Sequence, residues 1–170
     1  MKKVTKFFAI SIMMFSFAAG TFAQPGVSAT ATATATIITP IAISKTVDMN
    51  FGDVAVNATA GTVVMTPAGV RTVTGGCTLP TAIGTVSAAS FTVTGLAAST
   101  YSITLPAAAT TITAVSNMTV DTWTSTPTPT GTLTAGTSTL TIGATLHVGA
   151  SQAAGVYLSG TPFTVTVNYN

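Results

Sequence analysis

The sequence predicts an all-β protein, a Greek-key β-sandwich of roughly nine or ten strands. Short runs in which apolar and polar residues alternate recur along the chain, and turn residues such as Gly and Pro separate them. Thr is the most abundant polar residue, and it favours pleated strands because its branched side chain is stiff at χ1. Beyond the first residues, no helical pattern longer than a turn is present.

Residues 1–23 are predicted to be a signal peptide. Three lysines stand among the first six residues, an apolar run covers residues 7–19, and small residues precede a cleavage site after Ala23. The run is shorter than the roughly 20 residues that span a bilayer, and a retained membrane helix is the alternative. We expect an exported protein, at the cell surface or outside the cell. No membrane span is expected after signal removal.

The expected mature chain has an Ala/Thr-rich extension at residues 24–36 and one β-sandwich domain at residues 37–170. Its only basic residues are Lys45 and Arg71, against three Asp residues, which makes a net charge of −1. A chain without a basic patch does not attract a phosphate backbone, so nucleic-acid binding is excluded.

Apolar and polar residues alternate over an unusually long stretch, from the extension into the start of the domain. Over residues 29–51 the odd positions are mostly apolar and the even positions are mostly Thr, so one face of an extended chain would be buried. A typical strand has about five or six residues, and Pro40 divides the register. Residues 41–51 are predicted to be the first strand and its exit into the core. Residues 29–37 have no obvious partner, and are either a disordered lead-in, the first half of that strand, or a strand for another molecule.

Turn residues and alternation place the later elements. Strands are predicted over residues 62–66, 70–74, 90–95, 101–105, 110–115, 118–124, 139–148 and 161–169. Pro67-Ala68-Gly69 predicts a hairpin between the first two of these, and residues 57–61 are predicted to be a loop. In the strand over residues 139–148, Leu140, Ile142, Leu146 and Val148 share the inner face, so His147 is expected on the solvent side.

Few residues of the chain could carry catalysis. It has one His, three Asp, no Glu and no Gly-x-Ser-x-Gly motif, and no His, Cys or Asp accompanies His147 at metal-ligand spacing. We expect no enzyme, no catalytic residue, no metal and no cofactor. Cys77 has no second cysteine to pair with; it is either a small buried hydrophobe or a thiol for an intermolecular bridge or other reaction.

Trp123, the single Trp, shares strand parity with Asp121 on a polar face. An exposed Trp beside a carboxylate is typical of surfaces that stack on sugars, so Trp123 and Asp121 form a possible ligand surface. The alternative is a Trp that a bulge near Pro127 turns inward.

Several segments, taken in order, resemble one family. They are residues 50–53 (Asn-Phe-Gly-Asp), 91–95, 101–105, 142–149, 155–157 and 165–169. In order and spacing they resemble the DUF4402 domain, an exported β-sandwich of unknown function found in Gram-negative bacteria, over about residues 37–170. The resemblance implies a fold and export through the periplasm of a Gram-negative bacterium, and it implies no chemistry.

A looser resemblance is to fimbrial or pilin-type subunits, which have an alternating N-terminal segment and a last strand with a penultimate aromatic residue, here Tyr169. It implies an Ig-like or pilin-like sandwich that a neighbour's N-terminal strand completes. This chain departs from the pattern because it lacks the usual disulfide pair and because its donor segment is mostly Ala, which fills pockets poorly.

We therefore expect a structural cell-surface protein, a subunit of a fimbria- or pilus-like fibre that self-associates by donating its N-terminal strand. The expected polymerisation contacts are Ala29, Ala31, Ala33, Ala35, Ile37, Ile41, Ile43, Phe163, Val165, Val167 and Tyr169. The alternative is a monomeric adhesin or carbohydrate-binding module that binds a surface glycan or host ligand.

Overall fold

The structure, a computed structural model, describes residues 26–170, and the predicted signal peptide lies outside these residues. The described chain falls into two units that divide between Thr36 and Ile37. Residues 26–36 have no regular secondary structure and their side chains are exposed. Within residues 26–170 no helix is long and apolar enough to cross a membrane.

All strands of the described chain lie in the second unit, Ile37–Asn170. The strands found in the described chain are β1 (Ala42–Val47), β2 (Asn50–Phe51), β3 (Ala55–Met65), β4 (Arg71–Thr78), β5 (Val86–Ser87), β6 (Ala89–Thr94), β7 (Thr100–Thr104), β8 (Thr110–Thr113), β9 (Asn117–Thr126), β10 (Thr130–Thr132), β11 (Thr137–Val148), β12 (Leu158–Ser159) and β13 (Thr166–Tyr169). Every pairing is antiparallel, so the predicted all-β class is confirmed. Three strands have only two residues, which explains why the sequence predicts fewer of them.

The long strand β11 organises the larger sheet, whose order is β1-β6-β11-β9-β8-β12. One edge of β11 pairs with β6 in its first half and with β3 in its second half, while β9 pairs along the other edge. Gly143 lies at the change of partner. A Cβ atom there would lie 2.3 Å from the carbonyl oxygen of Met65, so only glycine lets the end of β3 approach this closely.

Two hydrophobic clusters form the core. The first cluster lies between the larger sheet and the smaller sheet β10-β7-β13, and its buried members are Ala89, Val93, Tyr101, Leu133, Leu140, Ile142, Val165 and Val167. The second cluster lies under β3, β4, β9 and β11, and its buried members are Val63, Cys77, Val120, Ala144, Leu146 and Val148. Met49 and Trp123 pack against both clusters and join them.

The predicted hairpin around residues 67–69 is confirmed, because β3 pairs with β4 and Gly69 has a φ of +79°. The predicted loop over residues 57–61 is wrong, since β3 runs through it as a bulge. The register shifts between Val56 and Gly61, and Gly76 of β4 accommodates the extra residues because a Cβ there would lie 1.9 Å from the carbonyl oxygen of Thr59. Gly75 and Gly76 of β4 thus leave room for a bulge, and residues 57–61 belong to a bulged strand although their sequence resembles a loop.

The last strand is shorter in the structure than the predicted residues 161–169, although the predicted inner face is correct. Val165 and Val167 are buried, but β13 begins only at Thr166, which pairs with Thr104. Beyond Thr104 the partner chain reaches Pro106, which has no N–H to donate, so the ladder ends there.

Candidate functional site

The N-terminal segment, residues 26–40, contains no strand. The structure therefore excludes the reading in which residues 29–37 are the first half of β1, which begins at Ala42. The side chains of the segment are exposed, and 93% of Ile37 is accessible to solvent. An alternating segment with an exposed isoleucine is thus without a β-partner in the described chain.

Tyr169 joins the two ends of the second unit. Its hydroxyl donates a hydrogen bond to the carbonyl oxygen of Thr39 at 2.8 Å and accepts one from the N–H of Leu96 at 2.6 Å. Gly95 makes room for the ring, because a Cβ there would lie 2.3 Å from the Tyr169 hydroxyl oxygen. The point at which the N-terminal segment enters the domain is therefore held against the end of β13.

Two unpaired sheet edges meet on this side of the domain. Within the described residues, β1 pairs only with β6 and β13 pairs only with β7, and β1 lies against β13. Each edge strand leaves one row of N–H and C=O groups without a ladder partner. A further strand could add to either edge.

The expected polymerisation contacts divide into two groups. Residues Ile41, Ile43, Phe163, Val165, Val167 and Tyr169 all belong to the first cluster or pack against it. Ile41 and Ile43 are therefore part of the domain's own core and not of a free donor, which is a correction to their expected role. The remaining expected donors, Ala29 to Ile37 at odd positions, stay outside the core.

A bulge changes which face Trp123 occupies. Gly143 of β11 pairs with Thr124 of β9, and Thr145 pairs with Asp121. Between these two pairs β9 has one residue more than β11. Thr122 lies in this bulge and has a φ of +49°. The expectation that Trp123 and Asp121 share one polar face is wrong for this reason. The signal was present in the sequence, because the apolar positions of this strand change from even (Met118, Val120) to odd at Trp123.

The indole ring of Trp123 lies inward. It is half-buried and packs on Phe163, with ring centroids 4.4 Å apart. Its Nε1 is buried and has no hydrogen-bond partner in the structure. The inward alternative is therefore the correct one, although the bulge lies at Thr122 rather than near Pro127, and a sugar-stacking role stays a prediction without support from this geometry.

Asp121 lies on the outer face and contacts the single histidine. Its Oδ1 lies 2.7 Å from Nε2 of His147, and the hydroxyl of Thr122 donates to the same oxygen at 2.9 Å. The hydrogen bond from His147 holds the pKa of the Asp121 carboxyl below its ordinary value, and Thr122 adds to this effect. Because the ionised carboxylate only accepts, Nε2 of His147 carries the proton. The predicted solvent side of His147 is confirmed, whereas the pair itself was not predicted.

No described group of three or more His, Cys, Asp or Glu side chains could hold a metal ion.

A family model for a domain of unknown function, DUF4402, matches residues 41–169. The chain belongs to the DUF4402 family. No curated protein and no solved structure matches the chain.

The DUF4402 match begins immediately before β1 and ends at the last residue of β13. It therefore includes both free edges and the Tyr169 hydroxyl. Residues 29–37, the alternating segment, precede the matched region.

Proposed function

We propose that this DUF4402 protein is a structural subunit of a cell-surface fibre, assembled by donation of residues 29–37 to the free sheet edges of a neighbouring copy. The observation that carries the proposal is an alternating segment without a β-partner in the described chain, next to a domain in which the unpaired edges of β1 and β13 lie side by side. Edge strands with open N–H and C=O rows are templates for such additions.

The donor segment has the pattern that an added strand needs. Odd positions from Ala29 to Ala35 are Ala and position 37 is Ile, while the even positions between them are Thr. In an extended conformation, the Ala face would lie toward the acceptor's core and the Thr hydroxyls would lie in water. The segment is uncharged, so no charge would be buried on addition.

Main-chain hydrogen bonds are expected to supply most of the affinity. Ile41 and Ile43 already pack in their own domain, which leaves Ile37 as the large apolar donor side chain. Burying it would contribute about 1.5–3 kcal/mol, and each Ala much less. We therefore expect an assembly that is weaker than one built on several large anchors.

Apolar residues near both acceptor edges pack on the same core. Val165 and Val167 of the C-terminal segment and Ile43 of β1 pack on the same cluster, so a strand added at this side would cover one core. The penultimate Tyr169 holds the beginning of the domain at this place through Thr39. Charges are absent from β13, which makes this edge poorly protected against pairing.

Deletion of the donor segment tests the proposal. Purified mature protein should form filaments in negative-stain images and ladders on an unboiled gel, and deletion of residues 28–36 should abolish both. Monodisperse monomer under every assembly condition would overturn the proposal, and so would unchanged assembly after the deletion.

A comparison of the two faces of the segment makes the test specific. Ala31→Asp with Ala35→Asp places two charges on the face predicted to lie inward, and Thr32→Asp with Thr36→Asp places the same charges on the outer face. We expect the first pair of substitutions to block assembly and the second to permit it. Equal effects of the two pairs would contradict an alternating strand contact.

A further inference from the structure

The segment Asn50-Phe51-Gly52-Asp53, singled out by its resemblance, forms a tight turn that the fibre proposal does not use. The side-chain oxygen of Asn50 accepts a hydrogen bond from the N–H of Gly52 at 2.8 Å, and the N–H of Asp53 donates to the carbonyl oxygen of Ile83 at 2.9 Å. Gly52 has a φ of +66°, and a Cβ there would lie 3.1 Å from Nη1 of Arg71. A Cβ there would lie only 2.3 Å from the carbonyl oxygen of Ile83, so glycine lets the turn pack closely against Ile83 with Arg71 beside it.

The turn holds one end of that guanidinium. Nη1 of Arg71 donates to the carbonyl oxygens of Phe51 and Asp53, which uses both of its N–H groups. The other edge of the guanidinium, Nε and Nη2, has no hydrogen-bond partner among the described residues, and neither of the two ion pairs there involves Arg71. This edge is the fork that binds a carboxylate through two parallel hydrogen bonds.

Arg71 lines an open cleft of about 560 Å³. The apolar residues of its wall are Pro67, Ala68, Leu79, Ile83, Val86 and Ala88. Ser87 and Thr141 also line the cleft, but their hydroxyls donate to the main-chain carbonyls of Asp48 and Thr126. The cleft therefore combines one preorganised cation with a wall of both aliphatic side chains and polar groups, and no described carboxylate neutralises that cation.

We propose that this cleft is a binding site for a small aliphatic carboxylate, with the carboxylate on Nε and Nη2 of Arg71 and the hydrocarbon body against the apolar wall. Charge complementarity favours an anion, since Arg71 has no ionic partner in the described chain. The aliphatic side chains of the cleft would contact the hydrocarbon body of such a ligand. The site is independent of the fibre contacts, because no residue of β1, β13 or residues 29–37 lines the cleft.

Calorimetric titration of the purified protein with sodium octanoate, 1-octanol and sodium glucuronate tests the site. Octanoate should bind about tenfold or more tightly than octanol, because a charged hydrogen-bond pair is lost in the alcohol. Glucuronate should bind more weakly than octanoate. Equal binding of octanoate and octanol, glucuronate binding tighter than octanoate, or no binding of octanoate would each overturn the proposal.

Three variants locate the site. Arg71→Met should weaken octanoate binding about tenfold or more, whereas Lys45→Met, which removes one positive charge outside the cleft, should leave it unchanged. Ala88→Leu enlarges a side chain that lines the cleft and leaves Arg71 in place, so it should weaken octanoate binding as well. If circular dichroism shows that Arg71→Met does not fold, the test rests on Ala88→Leu. An unaltered octanoate affinity of Ala88→Leu would then overturn the proposed site. An equal loss in Lys45→Met would also overturn it.

Discussion

The hydroxyl of Tyr169 donates a hydrogen bond to the carbonyl oxygen of Thr39, 130 positions earlier in the chain. The same hydroxyl accepts the N–H of Leu96. One side chain near the C-terminus thus fixes both the entry of the N-terminal segment and the loop after β6. A penultimate aromatic residue, which the sequence indicates as an assembly feature, has a role inside its own domain.

Removal of that hydroxyl should destabilise the domain. We expect Tyr169→Phe to lower the free energy of unfolding by about 1–2 kcal/mol, because two hydrogen bonds are lost while the ring keeps its packing. Urea denaturation measures the change. Thr39→Ala is the matched control. It should leave this hydrogen bond in place, because Tyr169 donates to the main-chain oxygen of Thr39 and not to its side chain. A Tyr169→Phe protein as stable as wild type would contradict the assignment.

The Asp121–His147 pair should contribute to stability in a way that depends on pH. The pKa of Asp121 is lowered in the folded state, chiefly by the hydrogen bond from His147, so the contribution is present above the unfolded pKa of about 3.9 and is lost as pH falls through the depressed pKa. Both side chains are more than a third exposed, and the contribution is therefore at most about 1 kcal/mol.

Urea denaturation of wild type and Asp121→Asn between pH 6 and pH 2.5 checks this dependence. Wild type should be the more stable protein at pH 6, and the difference should disappear at the acidic end. Asp53→Asn serves as the control, because the Asp53 carboxylate has no hydrogen-bond or ion-pair partner among the described residues. A stability difference between the two proteins that increases as the pH falls would contradict the lowered pKa of Asp121.

A pair of leucines separates core packing from surface exposure. Leu140 of β11 is fully buried in the first cluster, whereas 68% of Leu158 in β12 is exposed. Leu140→Ala should lower the free energy of unfolding by about 2–5 kcal/mol, because it leaves a cavity. Leu158→Ala should change it by less than about 0.5 kcal/mol. Similar losses for the two variants, measured by thermal or urea denaturation, would contradict the assigned core.

Cys77 should react slowly in the folded protein. It is buried in the second cluster, and burial raises the pKa of its thiol, so less of the reactive thiolate is present. We expect a thiol reagent such as 5,5′-dithiobis(2-nitrobenzoate) to modify Cys77 quickly only after unfolding in urea. Rapid modification without urea would favour the reactive-thiol interpretation instead.

Much of the fold could be predicted because period-two alternation is a local signal. In β11 it correctly identifies Leu140, Ile142, Leu146 and Val148 as the inner face. It fails where one strand gains an odd number of residues relative to its partner, one residue at Thr122 and three before Gly61. A bulge reverses the faces of all the residues beyond it, and its position depends on the partner strand as well as on its own sequence.

The candidate sites were less predictable because their members are far apart in the chain. Asp121 and His147 are 26 positions apart, and Arg71 binds the carbonyl oxygen of Phe51 20 positions earlier. No local spacing indicates either contact. Only the ladder pairing of β9 with β11, and the turn at Gly52, bring these atoms together.

The sequence by itself determined the all-β class, the hairpin at residues 67–69 and the alternation of residues 29–51, because these depend on side-chain periodicity and turn chemistry within short segments. The tertiary structure decided where that alternation is used: residues 42–47 pair with β6, and residues 29–37 do not pair in the described chain. It also placed Trp123 inward and Asp121 outward. The physical reason is that the partner of a strand, and any bulge in it, are set by long-range backbone pairing, which the periodicity of a single segment does not contain.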